Sequence, residues 1–244
     1  MLRRLYLRRV DSWLARLPKR GVALELGSGT GWMLRALRER GWQAVGSERT
    51  VQAAREAGDV PMFVGDLEAI RDAPTLDLVI MFHVLEHLAD PLATLREVAR
   101  RLRPGGTLIL GIPNIASWQA RATGSSWMHL DVPRHLAHFS PEAIEDALQA
   151  SGLRLARVDF RSFEHDPFGW VQSILDRLGF EQGLLVKLLA RMRDRRTGPL
   201  ATLAAAVLAI PLGAVGLLLA LASWPAGAGA VMEVWAVRDA SVES

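Results

Sequence analysis

The chain contains no cysteine among its 244 residues, and its formal net charge is only +3. The absence of cysteine excludes disulfide bonds, thiolate metal sites and a cysteine nucleophile, and it fits a reducing cytosol. So small a net charge argues against nucleic acid as a partner, because proteins that bind it carry a basic excess. Half of the residues are hydrophobic, which excludes a disordered chain. The length predicts one large domain, or one medium domain with an addition.

Positive charge is concentrated in two segments of the chain. Residues 1–20 hold seven Lys or Arg against one Asp, and residues 187–196 hold five against one Asp. Such segments suit an anionic membrane surface, with ordinary solvated charge on helix faces as the alternative. Arginine interrupts the first segment too often for a secretory signal, and the spacing of its apolar residues predicts a basic amphipathic helix.

Strand and helix patterns alternate between residues 22 and 162. Apolar runs predict strands at Val22–Leu26, Gln43–Ser47, Met62–Val64, Leu76–Phe82, Thr107–Ile112 and Leu153–Ser162, and a later one at Val231–Val237. Helical spacing predicts helices at Trp32–Arg40, Val51–Ala57, Asp90–Leu102 and Ser140–Ser151. Strands separated by helices predict an α/β fold with a parallel sheet and right-handed crossovers.

A glycine-rich loop, Glu25–Gly31, ends the first predicted strand and begins the first of these helices. Glycine lets the backbone turn sharply and lets a ligand approach it, and the helix start offers unpaired N–H groups. A dinucleotide fingerprint needs its third glycine where Trp32 stands, and a phosphate loop needs a lysine after Gly31. The remaining interpretation is an acidic-x-G-x-G-x-G loop, of which every specified position is present.

Further features follow this loop in a fixed order. Glu48 ends the second predicted strand, where a carboxylate can accept both hydroxyls of a ribose. Asp66 follows the third strand, where an acceptor could meet an adenine amino group. The apolar strand Leu76–Phe82 is followed by the letters HVLEHLADP, then by LRPGG and by a strand that closes with IPN.

In this combination the chain resembles class I S-adenosylmethionine-dependent methyltransferases, in the branch of the ubiquinone and menaquinone biosynthesis enzymes. The resemblance covers about residues 20–160. It implies a Rossmann-like seven-stranded sheet in the order 3-2-1-4-5-7-6, with strand 7 antiparallel, and S-adenosylmethionine as the cofactor. It implies that the cofactor-binding residues are Glu25, Gly27, Ser28, Gly29, Gly31, Glu48, Arg49, Asp66, Leu67 and His83.

The resemblance also implies a role for each part of this set. The glycines lie around the methionine portion, Glu48 on the ribose, Asp66 near the adenine and His83 beside the sulfonium. Ser28 stands where the family frequently has cysteine, and Glu48 stands where aspartate is more usual.

Histidines are the candidates for a general base. The segment His83–His87 matches the H-x-x-E-H pattern of an inverted zinc protease, but it follows a strand and has no obvious third ligand, so we expect no metal. Methyl transfer needs a base only when the acceptor is a poorly acidic oxygen or a protonated nitrogen. The candidate bases are His83, His87 and the cluster His129, Asp131, His135 and His138. We expect His87 or His135 to serve.

Residues 200–224 carry no charge, which is typical of a membrane helix. A single span would place the last predicted strand on the far side of the bilayer from its sheet. Pro211 and Gly213 lie near the middle, so we expect a re-entrant hairpin of two half-helices, Leu200–Ile210 and Leu212–Ser223. A single span and a buried hairpin over the substrate are the alternatives.

Together these patterns predict a methyltransferase domain of residues 1–162 and 230–244, with a membrane-associating insertion at 163–229 between strands 6 and 7. The predicted function is methyl transfer to a small hydrophobic or lipid-linked acceptor on the cytoplasmic face of a membrane. Quinone precursors and polyprenyl-linked saccharides are the expected substrate classes. The alternatives are a soluble methyltransferase with a helical lid and a non-catalytic membrane-attached scaffold.

Overall fold

A computed structural model describes residues 2–17, 20–65, 67, 75–189 and 198–239, with side chains from Leu7 onward. The strands are β1 Val22–Leu26, β2 Gln43–Glu48, β3 Met62–Val64, β4 Leu76–Phe82, β5 Leu102–Pro113, β6 Leu153–Asp159 and β7 Val231–Arg238. The helices are α1 Leu2–Leu14, α2 Trp32–Glu39, α3 Val51–Glu56, α4 Pro91–Arg101, α5 Trp118–Thr123, α6 Pro141–Gln149, α7 Asp166–Arg177, α8 Leu184–Leu189 and α9 Pro199–Ser223. Short 3-10 helices lie at Leu85–His87, Gly124–Ser126 and Met128–Leu130.

The seven strands form one sheet in the order β3-β2-β1-β4-β5-β7-β6, with β7 antiparallel. Neighbouring strands from β3 to β5 are parallel, and the register places Leu26 of β1 beside Met81 of β4. The carboxyl ends of parallel strands share one sheet edge, so the loops after β1, β2 and β4 meet there. The predicted sheet is confirmed.

One strand is longer than the sequence predicts. The prediction starts the fifth strand at Thr107, because Pro104 and two glycines precede it, but β5 begins at Leu102. Leu102 pairs with Leu76 of β4 across a register irregularity, and Leu78 pairs with Thr107. The Pro-Gly-Gly segment is therefore an irregular part of the strand, not a loop.

The residues form two compact units. The first contains 1–112, 142–158 and 234–244, and the second contains 113–141 and 159–233. The predicted division places 113–141 with the methyltransferase domain, whereas in the structure this segment packs with the inserted helices. Gln119 donates a hydrogen bond from Nε2 to the backbone oxygen of Asp166, and Ser173 Oγ accepts one from the amide of Met128. Such long-range polar contacts leave no periodic signal in a sequence.

In the first unit, helix α1 packs against the sheet core. Val10 and Trp13 of α1 are buried with residues of α2, β1 and β4. The Trp13 and Phe82 rings lie 5.9 Å apart, and the Arg9 guanidinium lies 5.3 Å from the centroid of the Phe82 ring. The predicted amphipathic helix is thus present, and its apolar face reaches the carboxyl end of β4.

In the second unit, α9 is one continuous helix of 25 residues. The predicted hairpin of two half-helices, Leu200–Ile210 and Leu212–Ser223, is wrong. Proline removes one backbone hydrogen bond from a helix, but Pro211 lies inside α9 and does not end it. The helix continues because Ala205 and Leu212 pack on α7 and α8 before Pro211 and after it, in a cluster with Val171 and Leu175.

Gly216 allows α9 to approach α7 closely. A Cβ atom at Gly216 would lie 2.9 Å from the Pro167 backbone oxygen and 3.0 Å from Trp170 Cβ, whereas one at Gly213 would meet nothing within 4 Å. The two glycines are three residues apart in the same helix. They therefore share the same intrinsic helix propensity and differ in packing.

We expect Gly216→Val to destabilise the second unit and Gly213→Val to leave it as stable or slightly more stable. The clash at Gly216 involves backbone, which cannot move aside cheaply, so the loss should be about 1–3 kcal/mol. Thermal unfolding followed by circular dichroism in detergent measures this difference. Equal melting temperatures for the two variants would contradict the observed packing of α9 on α7.

Candidate functional site

The glycine loop after β1 has the backbone that its sequence predicts. Gly27, Gly29 and Gly31 all have positive φ, at 68°, 51° and 67°, a region that disfavours other residues. Ser28 fixes the turn, because its amide donates to the Ser47 backbone oxygen at 3.0 Å and its hydroxyl to the Glu25 backbone oxygen at 2.8 Å. The loop is thereby fastened to β1 and β2.

Glu48 connects the ends of β1 and β2. Its Oε2 accepts from the amide of Gly29 at 3.0 Å, and its Oε1 accepts from the amide of Arg49 at 2.8 Å. Its backbone oxygen accepts from the amide of Gly65, where the loop after β3 begins. A half-buried carboxylate beside the glycine loop is placed to accept further hydrogen bonds from a ligand's hydroxyls.

Glu25 is a buried carboxyl directly beneath the loop, with 5% of its surface exposed. Burial, and then the negative charge of Glu48, raise the pKa of Glu25 to about 8. Its Oε2 is buried and has no hydrogen-bond partner among the described residues. An unsatisfied buried carboxyl oxygen is costly, so Glu25 is placed to bind a cationic or hydrogen-donating group that the described residues do not supply.

These residues fit S-adenosylmethionine. A Cβ at Gly29 would meet nothing within 4 Å, so open space faces the backbone there. The loop amides, the Glu25 carboxyl and the Glu48 carboxylate offer partners for the methionine part, its ammonium group and the ribose hydroxyls. The bound cofactor supplies an electrophilic methyl group, and the residues of the chain bind and orient it.

The turn after β4 packs against the same glycine loop. His83 is one of two non-glycine residues with positive φ in the described chain, at 54°, and its amide donates to the Gly111 backbone oxygen. The next residue, Val84, approaches the glycine loop so closely that a Cβ at Gly27 would lie 2.4 Å from Val84 Cγ2. Strained backbone of this kind persists where the surroundings hold it, and it is concentrated at functional sites.

Glu86 orients the imidazole of His83. Its Oε1 lies 3.1 Å from His83 Nδ1, and the Glu86 side chain is 1% exposed. Glu86 is a site residue that was not predicted from the sequence, where it stood only in the rejected zinc pattern His83–His87. Its signal was the three-residue spacing from His83, which places both side chains on one side of a single turn.

The other predicted site residues are distributed as follows. Leu67 is buried and Arg49 is exposed at the end of β2, and Asp66 lies outside the described residues. His87 ends the 3-10 helix Leu85–His87 in the first unit, next to Glu86. The structure thus brings the glycine loop, Glu25, Glu48 and His83 to one sheet edge, and their assignment to the cofactor stays a prediction.

The second predicted base, His135, belongs to the second unit. It is buried, and its Nδ1 lies 2.8 Å from the His129 backbone oxygen. His138 Nε2 lies 2.9 Å from the Leu130 backbone oxygen, and Asp131 Oδ2 lies 4.0 Å from His135 Nε2. The residues of the predicted histidine cluster therefore lie close together, and the rings of His135 and His138 bond to backbone oxygens.

The sheet order and the glycine loop at its carboxyl edge define a class I methyltransferase. Comparison with known proteins agrees, because a family model described as a methyltransferase domain matches residues 1–158. The chain therefore belongs to the methyltransferase domain family, with S-adenosylmethionine as its cofactor. It is a class I enzyme, in the branch that includes the ubiquinone biosynthesis methyltransferases.

Curated relatives carry a narrower name. A "Ubiquinone biosynthesis O-methyltransferase" of Xanthomonas oryzae is 30% identical over 163 residues, which are 62% of this chain and 68% of the relative. One of Ruegeria pomeroyi with the same name is 28% identical over 169 residues, or 63% of this chain and 67% of the relative.

Solved structures share the fold. A SAM-dependent methyltransferase from Archaeoglobus fulgidus has a TM-score of 0.60 at 17% identity, over 96% of this chain and 94% of its own. Magnesium protoporphyrin IX methyltransferase from Synechocystis, solved with bound SAH, has a TM-score of 0.51 at 22% identity, over 64% of this chain and 77% of its own.

Proposed function

We propose that the protein transfers a methyl group to a hydroxyl of a hydrophobic, lipid-tailed acceptor at the cytoplasmic surface of a membrane. A phenolic quinone precursor with a polyprenyl tail is the first candidate. The observation that carries the proposal is α9, which is long and apolar enough to cross a bilayer and yet is mostly exposed. When the apolar side chains of a whole 25-residue helix are mostly exposed, the helix surface marks a contact with a membrane or a partner.

The names of the relatives support the acceptor class. Those relatives are named as O-methyltransferases of ubiquinone biosynthesis, and their similarity covers 62–63% of this chain. Ubiquinone precursors combine an aromatic hydroxyl with a long apolar tail. A membrane-bound enzyme can meet such a molecule without extracting it into water.

The chemistry requires few side chains. The acceptor oxygen forms a bond to the methyl carbon as the carbon–sulfur bond breaks, and the sulfur keeps the electron pair. The hydroxyl proton leaves to a base or to water, and a nearby histidine can take it at neutral pH. Alignment of oxygen, carbon and sulfur supplies most of the acceleration.

The test compares two acceptors that differ only in the tail. A prenylated catechol in phospholipid vesicles and the same head group without its tail are offered with radiolabelled S-adenosylmethionine. We expect the tailed acceptor to be methylated at least ten times faster per unit enzyme. Equal rates would favour a soluble enzyme with a helical lid, and transfer to neither would refute this acceptor class.

A variant of α9 should separate membrane binding from catalysis. Ile210 and Leu218 are 78% and 67% exposed, so Ile210→Gln with Leu218→Gln removes apolar contact and little internal packing. Each buried side chain of this size contributes about 1.5–3 kcal/mol, so sedimentation with anionic vesicles should weaken by at least about 100-fold. S-adenosylmethionine affinity should stay unchanged.

The matched control is Leu92→Gln, an exposed leucine of α4 in the first unit. It makes the same kind of change far along the chain from α9, and vesicle binding should be retained. If the wild-type protein stays in the supernatant with every vesicle composition, the membrane part of the proposal is wrong.

A further inference from the structure

Helix α9 has one face that packs on protein and a wider face that does not. Its less exposed residues lie along one side of the helix and form a single stripe: Thr202, Ala205, Ala209, Leu212, Gly213, Gly216, Leu219, Ala220 and Ser223. Outside this stripe, Leu203, Ile210 and Leu217 share a face at seven-residue spacing and are 61%, 78% and 40% exposed. The helix therefore offers apolar surface to one side only.

The stripe is occupied by α7, which runs antiparallel to α9. Gly216 meets Pro167 and Trp170 at the start of α7, whereas Ala205 clusters with Leu175 near its end. At the carboxyl end of α9, Trp224 donates from Nε1 to Asp166 Oδ2 at 2.7 Å. Helix α9 thus packs against α7 along most of its length.

Polar side chains of α7 and of the segments beside it bond to one another. Gln119 of α5 bonds to Asp166, and it also accepts at Oε1 from Trp127 Nε1 at 3.1 Å. Ser173 of α7 accepts from the amide of Met128. Gln172, also buried, accepts from the amide of Leu185. Helix α7, which carries or contacts these polar side chains, packs against α9 from Ala205 to the carboxyl end of α9.

A transmembrane orientation of α9 would therefore bring α7 and its polar partners into the hydrocarbon core. Asp166 alone, 1% exposed inside the protein, makes such a passage costly. Irregular backbone such as the 124–130 segment would enter too, which lipid tolerates only when protein surrounds it. An orientation parallel to the surface avoids this cost, because the exposed face alone enters the lipid.

The sequence before α9 also fits this orientation. Lys187 of α8 and the arginines among residues 191–196 precede the helix in the sequence, and their positive charge suits anionic headgroups. At the other end, the Phe163 ring, 60% exposed, packs edge-to-face against Trp224 with centroids 4.5 Å apart. Aromatic rings favour the headgroup level, so both ends of α9 suit the same interfacial depth.

We infer that α9 is an in-plane anchor: it lies parallel to the membrane, with its Leu203–Ile210–Leu217 face in one leaflet and α7 on the water side. The inference rests on the membrane association proposed above and adds its geometry. Both ends of α9 then stay on the same side of the bilayer, and β7 rejoins the sheet without crossing lipid.

The absence of native cysteine makes a sharp test available. Full-length Leu203→Cys, Ile210→Cys and Leu217→Cys proteins are spin-labelled and bound to anionic phosphatidylglycerol vesicles, and depth is read from oxygen and nickel-complex collision rates. We expect all three labels at one depth, about 5–10 Å below the headgroups. Leu92→Cys serves as the water-exposed control, and wild-type protein is first shown to sediment with the vesicles.

Other results would overturn the inference in distinguishable ways. A spanning helix would separate the outer labels by about 20 Å along the bilayer normal, since the rise is 1.5 Å per residue. Labels on sedimented protein that collide rarely with both oxygen and the nickel complex, with spin–spin broadening, would show that a second copy covers the face. Failure of the wild type to sediment would instead remove the membrane association itself.

Discussion

Gly29→Leu weakens binding of S-adenosylmethionine by about 100-fold and leaves the protein folded, if the space over Gly29 receives the cofactor. A Cβ placed there meets nothing within 4 Å, so the larger side chain starts into open space beside the loop. It would compete directly with the ligand, and overfilling a formed site typically costs about 1–3 kcal/mol, or up to roughly 100-fold in affinity. Isothermal calorimetry with S-adenosylmethionine and S-adenosylhomocysteine measures the change.

Gly58→Leu is the matched control for this experiment. Gly58 has a φ of 68°, close to the 51° of Gly29, and a Cβ there also meets nothing within 4 Å. Both substitutions therefore carry a similar backbone strain, about 1–2 kcal/mol, but Gly58 follows α3 and lies outside the glycine loop. Unchanged affinity in Gly29→Leu, or equal losses in both variants, would place the cofactor elsewhere.

The sequence predicted the glycine loop and the sheet because local signals and the family resemblance agreed there. The three glycines have the positive φ that their motif requires, and the strand ends follow from apolar runs between glycines. Glu48 also lies beside the loop as expected, because parallel strands bring their carboxyl ends to one edge.

The predictions that did not match the structure depend on contacts between distant segments. The break expected at Pro211 ignores the stripe that α7 supports on both sides of it. The link from Gln119 to Asp166 joins residues 47 positions apart, and no spacing rule in either segment points to it. Glu86 was visible in the sequence, but its pairing with His83 depends on a turn whose backbone only the fold enforces.

Glu25 should make the folded protein lose stability as the pH rises. Burial raises the pKa of Glu25 from its ordinary value of 4.5 to about 8 in the folded protein. Between these pH values the folded state therefore holds a proton that the unfolded state has released. The contribution of Glu25 is therefore complete below pH 4.5, declines through this window and is lost above about pH 8, by on the order of 5 kcal/mol. Glu25→Gln removes this titration.

The measurement is urea unfolding of wild type and Glu25→Gln between pH 5 and pH 8. Asp166, whose pKa burial raises to about 7, adds a loss of the same sign in both proteins, so the difference between them isolates Glu25. The variant should gain stability relative to wild type as the pH rises. Glu39→Gln makes the same substitution at an exposed carboxylate of α2 and serves as the control.

The same proton should leave when the cofactor binds. At pH 7 a group with a pKa of about 8 is mostly protonated, and a cationic ligand beside it favours the ionised form. Calorimetry in buffers of different ionisation enthalpy should then show release of about 0.5–0.9 proton per cofactor bound, and none in Glu25→Gln. Binding heats that do not depend on the buffer would mean that the ammonium and sulfonium charges bind away from Glu25, and the site drawn around the glycine loop would have to be redrawn.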